Sequence, residues 1–232
     1  MRQEADAARL KDVWDIGIEF LKANENRKFE KLIDENPGLV NFQNEEYGRL
    51  TLLHFCSALK RPHAVSYLLE KRANVHAGIN GNVTPLHFAC GNGHSGIAKL
   101  LLSAQSNINV RSDDGTTPLY SACQEGRKNV VKMLIHMQAN VNLQGTSGAS
   151  PLNVACRKGF KEIVIMLLEN QADINLPNIQ NHTPVHATCM FGYTAIFKIL
   201  LDRQADINSS ETLEGTDVFI RKIVFFIFLI IK

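Results

Sequence analysis

Thr84-Pro85-Leu86-His87 opens a stretch that the chain repeats. Thr117-Pro118-Leu119-Tyr120, Ser150-Pro151-Leu152-Asn153 and Thr183-Pro184-Val185-His186 follow at an unvarying interval of 33 residues, and Thr51-Leu52-Leu53-His54 precedes at the same interval. Val75, Ile108, Val141, Ile174 and Ile207 form a second series in the same register. A fixed period of this length marks a solenoid, in which each unit is too small to bury its own apolar face and neighbours must stack to do so.

Residues 111–143 show how one unit is built. Asp113-Asp114-Gly115 is turn chemistry. Thr117 offers its hydroxyl as a helix N-cap, and Pro118 follows at the first helical position, where a missing N–H costs nothing. Leu119, Ala122 and Cys123 give a short helix one apolar edge, and the small Ala122-Cys123 pair lets the next unit approach closely. Gly126 ends that helix, as Gly93, Gly159 and Gly192 do in theirs. A second helix follows, with Val130, Val131, Met133, Leu134 and Ile135 as its apolar positions. Asn140-Val141-Asn142 returns the chain to the next turn.

This order of turn, T-P-L-H, small pair, G-H, apolar second helix and A-D-V-N closely resembles the ankyrin repeat. Gly93-His94, Ala172-Asp173-Ile174-Asn175 and Ala205-Asp206-Ile207-Asn208 are further matches. The resemblance implies an all-α repeat solenoid, a stack of helix pairs with β-turn or hairpin fingers. Five full repeats are expected over residues 46–77, 78–110, 111–143, 144–176 and 177–209. Residues 1–45 are expected to hold a degenerate N-terminal capping repeat, over about 8–44, with Val13, Trp14, Ile16, Ile18, Phe20 and Leu21 supplying its first helix. Lys22, Arg27, Lys28 and Lys31 suit the polar outer face such a cap needs. The interval from Val40 to Thr51 is two residues longer than from Val75 to Thr84, so an enlarged loop is expected there.

One departure from the family pattern matters. A Gly usually precedes A-D-V-N and adopts a left-handed conformation, but here that place holds Arg72, Gln105, Gln138, Gln171 and Gln204. A side chain held there costs about 1 kcal/mol. Gly96, inside a second helix, adds a penalty of about 1 kcal/mol against Ala.

Residues 210–232 are a divergent apolar tail. Thr216 keeps the register, but Arg221 and Lys222 stand where small residues belong, and the uninterrupted apolar run 223–231 is shorter than the about 17 residues a membrane span needs. Three readings stay open: a makeshift cap, an alternative end that truncates a longer array, or a membrane anchor.

Composition narrows the chemistry. A hydrophobic fraction of 45% with 21% charged residues is ordinary for a globular chain, and a net charge of +2 gives no electrostatic case for nucleic acid. The polar start, Met1-Arg2-Gln3-Glu4, leads into no apolar segment, so no secretory signal is expected. Cys90, Cys123, Cys156 and Cys189 recur with the period, each at the same place in its own repeat. Helices pack about 8–10 Å apart, too far for equivalent cysteines to bridge, so buried thiols and a reducing compartment, cytoplasmic or nuclear, are expected. Gly91-Asn92-Gly93-His94-Ser95-Gly96 spells G-x-G-x-x-G, but a helix rather than a strand precedes it, which removes the nucleotide reading. The scattered carboxylates form no acid/base pair, and His54, His87 and His186 have a structural task in the family. Neither cofactor nor metal nor catalysis is expected.

Recognition remains. Ankyrin-like stacks present turn tips and first helices on a concave face, usually to proteins, and the variable residues there are the expected partner contacts. At the turns these are Asn80, Asn82, Arg111, Asp113, Asp114 and Gln144; at the first-helix ends they are Asn92, Gln124, Glu125, Arg157, Lys158, Met190 and Phe191, with Tyr120 and Asn153 in place of the usual His. The surface is expected to grade from acidic through basic Arg157-Lys158 to apolar Met190-Phe191-Tyr193. The expected function is that of a monomeric, non-catalytic scaffold or adaptor for another protein, without nucleic acid or membrane. The alternatives are the repeat region or a short isoform of a larger protein, such as a kinase, ubiquitin-ligase adaptor or ion channel, and a membrane-peripheral protein held by its tail.

Overall fold

A computed structural model describes the backbone of residues 2–207 and the side chains of residues 9–207. The readings of Asn208 and of the tail at 210–232 lie outside the described residues. Two compact units are present, one ending at Asp113 and the other starting at Asp114.

The first unit contains α1 (Arg2–Ala23), α2 (Asn26–Glu35), α3 (Leu52–Ala58), α4 (Pro62–Glu70), α5 (Pro85–Gly91) and α6 (Ser95–Ser103). The helices form two layers: α1 packs on α3 and α3 on α5, while α2 packs on α4 and α4 on α6. The second unit repeats this design with α7 (Pro118–Gln124), α8 (Lys128–His136), α9 (Pro151–Lys158), α10 (Lys161–Glu169), α11 (Pro184–Phe191) and α12 (Thr194–Asp202). There α7 packs on α9 and α9 on α11 in the first layer, with α8 on α10 and α10 on α12 in the second. No strand occurs among the described residues, so the fold is an all-helical repeat stack.

Each first helix begins as its sequence dictates. The Thr51 hydroxyl accepts from the His54 N–H, and the Thr51 N–H donates back to His54 Nδ1 at 3.3 Å, a reciprocal cap that Thr84–His87 and Thr183–His186 also form. His54 Nε2 then reaches the Val83 carbonyl in the next finger at 3.2 Å. The small pairs Ala89-Cys90, Ala122-Cys123 and Ala155-Cys156 have no exposed surface, which lets the helices of a layer close on one another. All five cysteines are free and buried, and burial raises their thiol pKa values, that of Cys189 to about 11.

The fingers are joined one to the next by single backbone hydrogen bonds. Asn80 N donates to Gly48 O and Asp113 N to Gly81 O in the first unit; Thr146 N donates to Asp114 O and Ile179 N to Ser147 O in the second. In the return segments the Asn after Val or Ile accepts from the backbone of the next repeat: Asn142 from Asp173 N and Asn175 from Asp206 N, both at 2.8 Å. The two extra residues after Val40 are taken up in a 3-10 turn, Glu45–Tyr47, inside a loop closed by an Asn44–Leu50 bridge.

Arg72, Gln105, Gln138, Gln171 and Gln204 all take positive φ, between 62° and 67°. Lys60 does the same at φ 59°, at the place that Gly93, Gly126, Gly159 and Gly192 fill in later repeats.

In α1, Trp14, Ile18 and Leu21 are buried, but Ile16 is 42% exposed. Two residues from both Trp14 and Ile18, Ile16 lies about 200° round the helix from them and faces away from the core. The helix starts at Arg2.

Candidate functional site

In the second unit, Gln124, Arg157 and Met190 occupy one register position, and Glu125, Lys158 and Phe191 the next. They stand at the C-terminal ends of α7, α9 and α11, which are consecutive neighbours. Equivalent positions are therefore about 8–10 Å apart. Glu125, Arg157, Lys158, Met190 and Phe191 are exposed and Gln124 is half-buried. The row runs from an acid through two bases to two apolar side chains.

The basic pair sits in the last turn of α9, where the free helix carbonyls favour positive charge. Neither Arg157 nor Lys158 forms an ion pair among the described residues. The Glu125 carboxylate accepts from the adjacent Gln124 amide, at 3.4 Å. Met190 is 57% exposed and Phe191 51%, and the Phe191 ring stacks on Tyr193 with centroids 6.3 Å apart.

Tyr120 and Asn153 do not join this surface. Tyr120 is 8% exposed, and Asn153 is buried with its amide donating to the Leu176 carbonyl at 2.9 Å. The cause is their place at the third helical position, where the family His packs inward. Burial raises the Tyr120 pKa, and the nearby Arg157 guanidinium opposes that shift.

Several turn residues are engaged in holding the fold. Gln144 donates to the Pro177 carbonyl at 2.7 Å and to Gly148 O, joining two fingers, while the Asp114 carboxylate accepts from Thr116 N. In the first unit, Asn82 donates to Arg111 O at 3.3 Å and Asn92 caps Phe88 O at 2.9 Å. Asn80, Arg111 and Asp113 are exposed there.

Sequence reasoning passed over Ile179, which is 75% exposed at a finger tip. The signal was present: the same register position holds Tyr47, Asn80, Asp113 and Thr146, and Ile179 is the one aliphatic side chain of the series.

Among the described residues no three His, Cys, Asp or Glu side chains are placed to hold a metal ion, and no helix is long and apolar enough to cross a membrane. Gly91 closes α5, Gly93 lies in the turn and Gly96 in the first turn of α6, so the G-x-G-x-x-G stretch joins two helices and follows no strand. The family model described as ankyrin repeats matches in three copies, at residues 20–112, 53–145 and 137–211. The chain belongs to the ankyrin-repeat family. Ankyrin repeats are protein–protein interaction modules. No curated protein matches this ankyrin-repeat chain.

Proposed function

We propose that this ankyrin-repeat chain is a non-catalytic adaptor that binds a partner protein along the first-helix ends of its second unit. The observation that carries the reading is the exposure of Met190 and Phe191 beside Arg157 and Lys158, whose charges no described residue neutralises. Large apolar side chains next to an Arg have the composition of binding anchors. Irregular and terminal segments on a rigid scaffold are where recognition residues concentrate. In an ankyrin stack this row belongs to the concave face.

The test is a pull-down from cell lysate with mass spectrometry, using the full chain beside an Arg157→Glu/Phe191→Ser variant whose circular dichroism is unchanged. Partners captured by the parent and lost from the variant are the expected result. Identical partner lists from both would refute the assignment.

A further inference from the structure

The row at the ends of α7, α9 and α11 has an order as well as a composition. Glu125 marks one end, Arg157 and Lys158 the middle, and Met190 and Phe191 the other end. Ile179, at the finger tip of the same repeat as Met190, makes that repeat apolar at both its finger and its helix end. Consecutive steps are about 8–10 Å, the packing distance of neighbouring helices. An extended chain rises about 3.3 Å per residue, so three residues of a partner span one step.

Resting on the binding reading above, we infer that the row recognises one short extended segment of the partner with a fixed order of side chains. A large apolar residue meets Met190 and Phe191, an acidic residue three positions away meets Arg157 and Lys158, and a basic residue three further meets Glu125. Charge complementarity selects this order. The bases have no acidic partner among the described residues, so an acidic side chain there gains attraction without displacing an existing pair. An acid placed at Glu125, or a base placed at Arg157, meets like charge instead. The apolar anchor supplies affinity and the two charges supply register and direction.

Fluorescence anisotropy of labelled synthetic peptides against the full chain tests this. One pair carries the order apolar, acidic, basic at three-residue spacing, written in both chain directions; a second pair exchanges the two charges. A third set places the groups seven residues apart, as a helix rising about 1.5 Å per residue would need. The ordered peptide, in one direction, is expected to bind at least about tenfold more tightly than its charge-exchanged counterpart. Arg157→Glu with Lys158→Glu is expected to reverse that preference, binding the exchanged peptide better, which loss of folding would not do. Equal binding of both orders, or no reversal in the double variant, overturns the inference. Tighter binding of the seven-spaced set overturns the extended form. If lysate partners depend on Arg157 and Phe191 while the peptides show no order, the order fails and the adaptor reading stands.

Discussion

The Tyr193 ring lies across the backbone of Gly159, so that a Cβ added at Gly159 would stand 2.7 Å from two ring carbons. Gly159 also holds φ at 77°, closing α9 in the left-handed conformation. The same relationship recurs between Phe160 and Gly126, again at 2.7 Å. In the first unit the register position of Phe160 and Tyr193 is filled by Arg61, which donates to the Leu21 and Lys22 carbonyls at the end of α1, and by His94, 3.0 Å from the Ala58 carbonyl. At Arg61, His94, Phe160 and Tyr193 this one position ties a repeat to the one before it by whatever chemistry its side chain provides.

Gly159→Ala is therefore expected to destabilise the chain by about 2–4 kcal/mol, the sum of left-handed strain and overpacking. In a Tyr193→Ala background the same substitution should cost about 1 kcal/mol, because only the backbone strain is left. Urea unfolding of the four chains measures this. An equal cost in both backgrounds would mean that the ring does not constrain the glycine.

Gln138→Gly is expected to stabilise the fold by about 0.5–1 kcal/mol. Gln138 sits at φ 63° after α8, and glycine removes that strain while adding some freedom to the unfolded chain. A rise in the urea midpoint at unchanged m value is the predicted reading. A lower midpoint would show that the Gln side chain contributes more than its backbone costs.

Gly96→Ala should add about 0.5 kcal/mol, since the residue is exposed in the first turn of α6 and an added Cβ meets nothing within 4 Å. Thermal unfolding should show a small upward shift in Tm. A downward shift would place an unseen neighbour at that position.

These positions show what was legible in the sequence. The Gln residues before the return segments stand where the family keeps a left-handed glycine, and their backbone takes positive φ. Caps and helix pairs were legible because Thr, Pro and Gly act within one turn of chain. Exposure was less so, because it depends on what packs above a residue. Tyr120 replaces a His that in three other repeats, at His54, His87 and His186, is buried, and the sequence does not show that the larger phenol follows the same path. Ile16 lies in a string of apolar residues whose periodicity alone leaves open which ones face the core. At the candidate site the charge order along the first-helix ends could be read directly, whereas the role of Gln144 in joining two fingers could not.

Acid should weaken the fold through His54. Its ring is fully buried, and desolvation is the main cause that pushes its pKa down from 6.5 to about 4. An unfolded His takes up a proton below about pH 6.5, while His54 in the folded chain stays neutral to about 4. Between those values the unfolded state holds more protons, so stability falls as the pH falls, by on the order of 3 kcal/mol for this residue. His54→Asn follows Asn153, which fills the same register position without a titrating ring. The variant should lose less stability than the parent between pH 7 and 4.5 in urea titrations. Parallel losses in both would remove His54 as the source.

Hydrogen exchange of the full chain, free and bound to a captured partner, tests most directly where recognition occurs. Added protection is expected at the amides around residues 123–126, 157–160 and 190–193, the ends of three neighbouring first helices. Protection confined to the second-helix layer of α8, α10 and α12, with these three segments unchanged, would contradict the assignment.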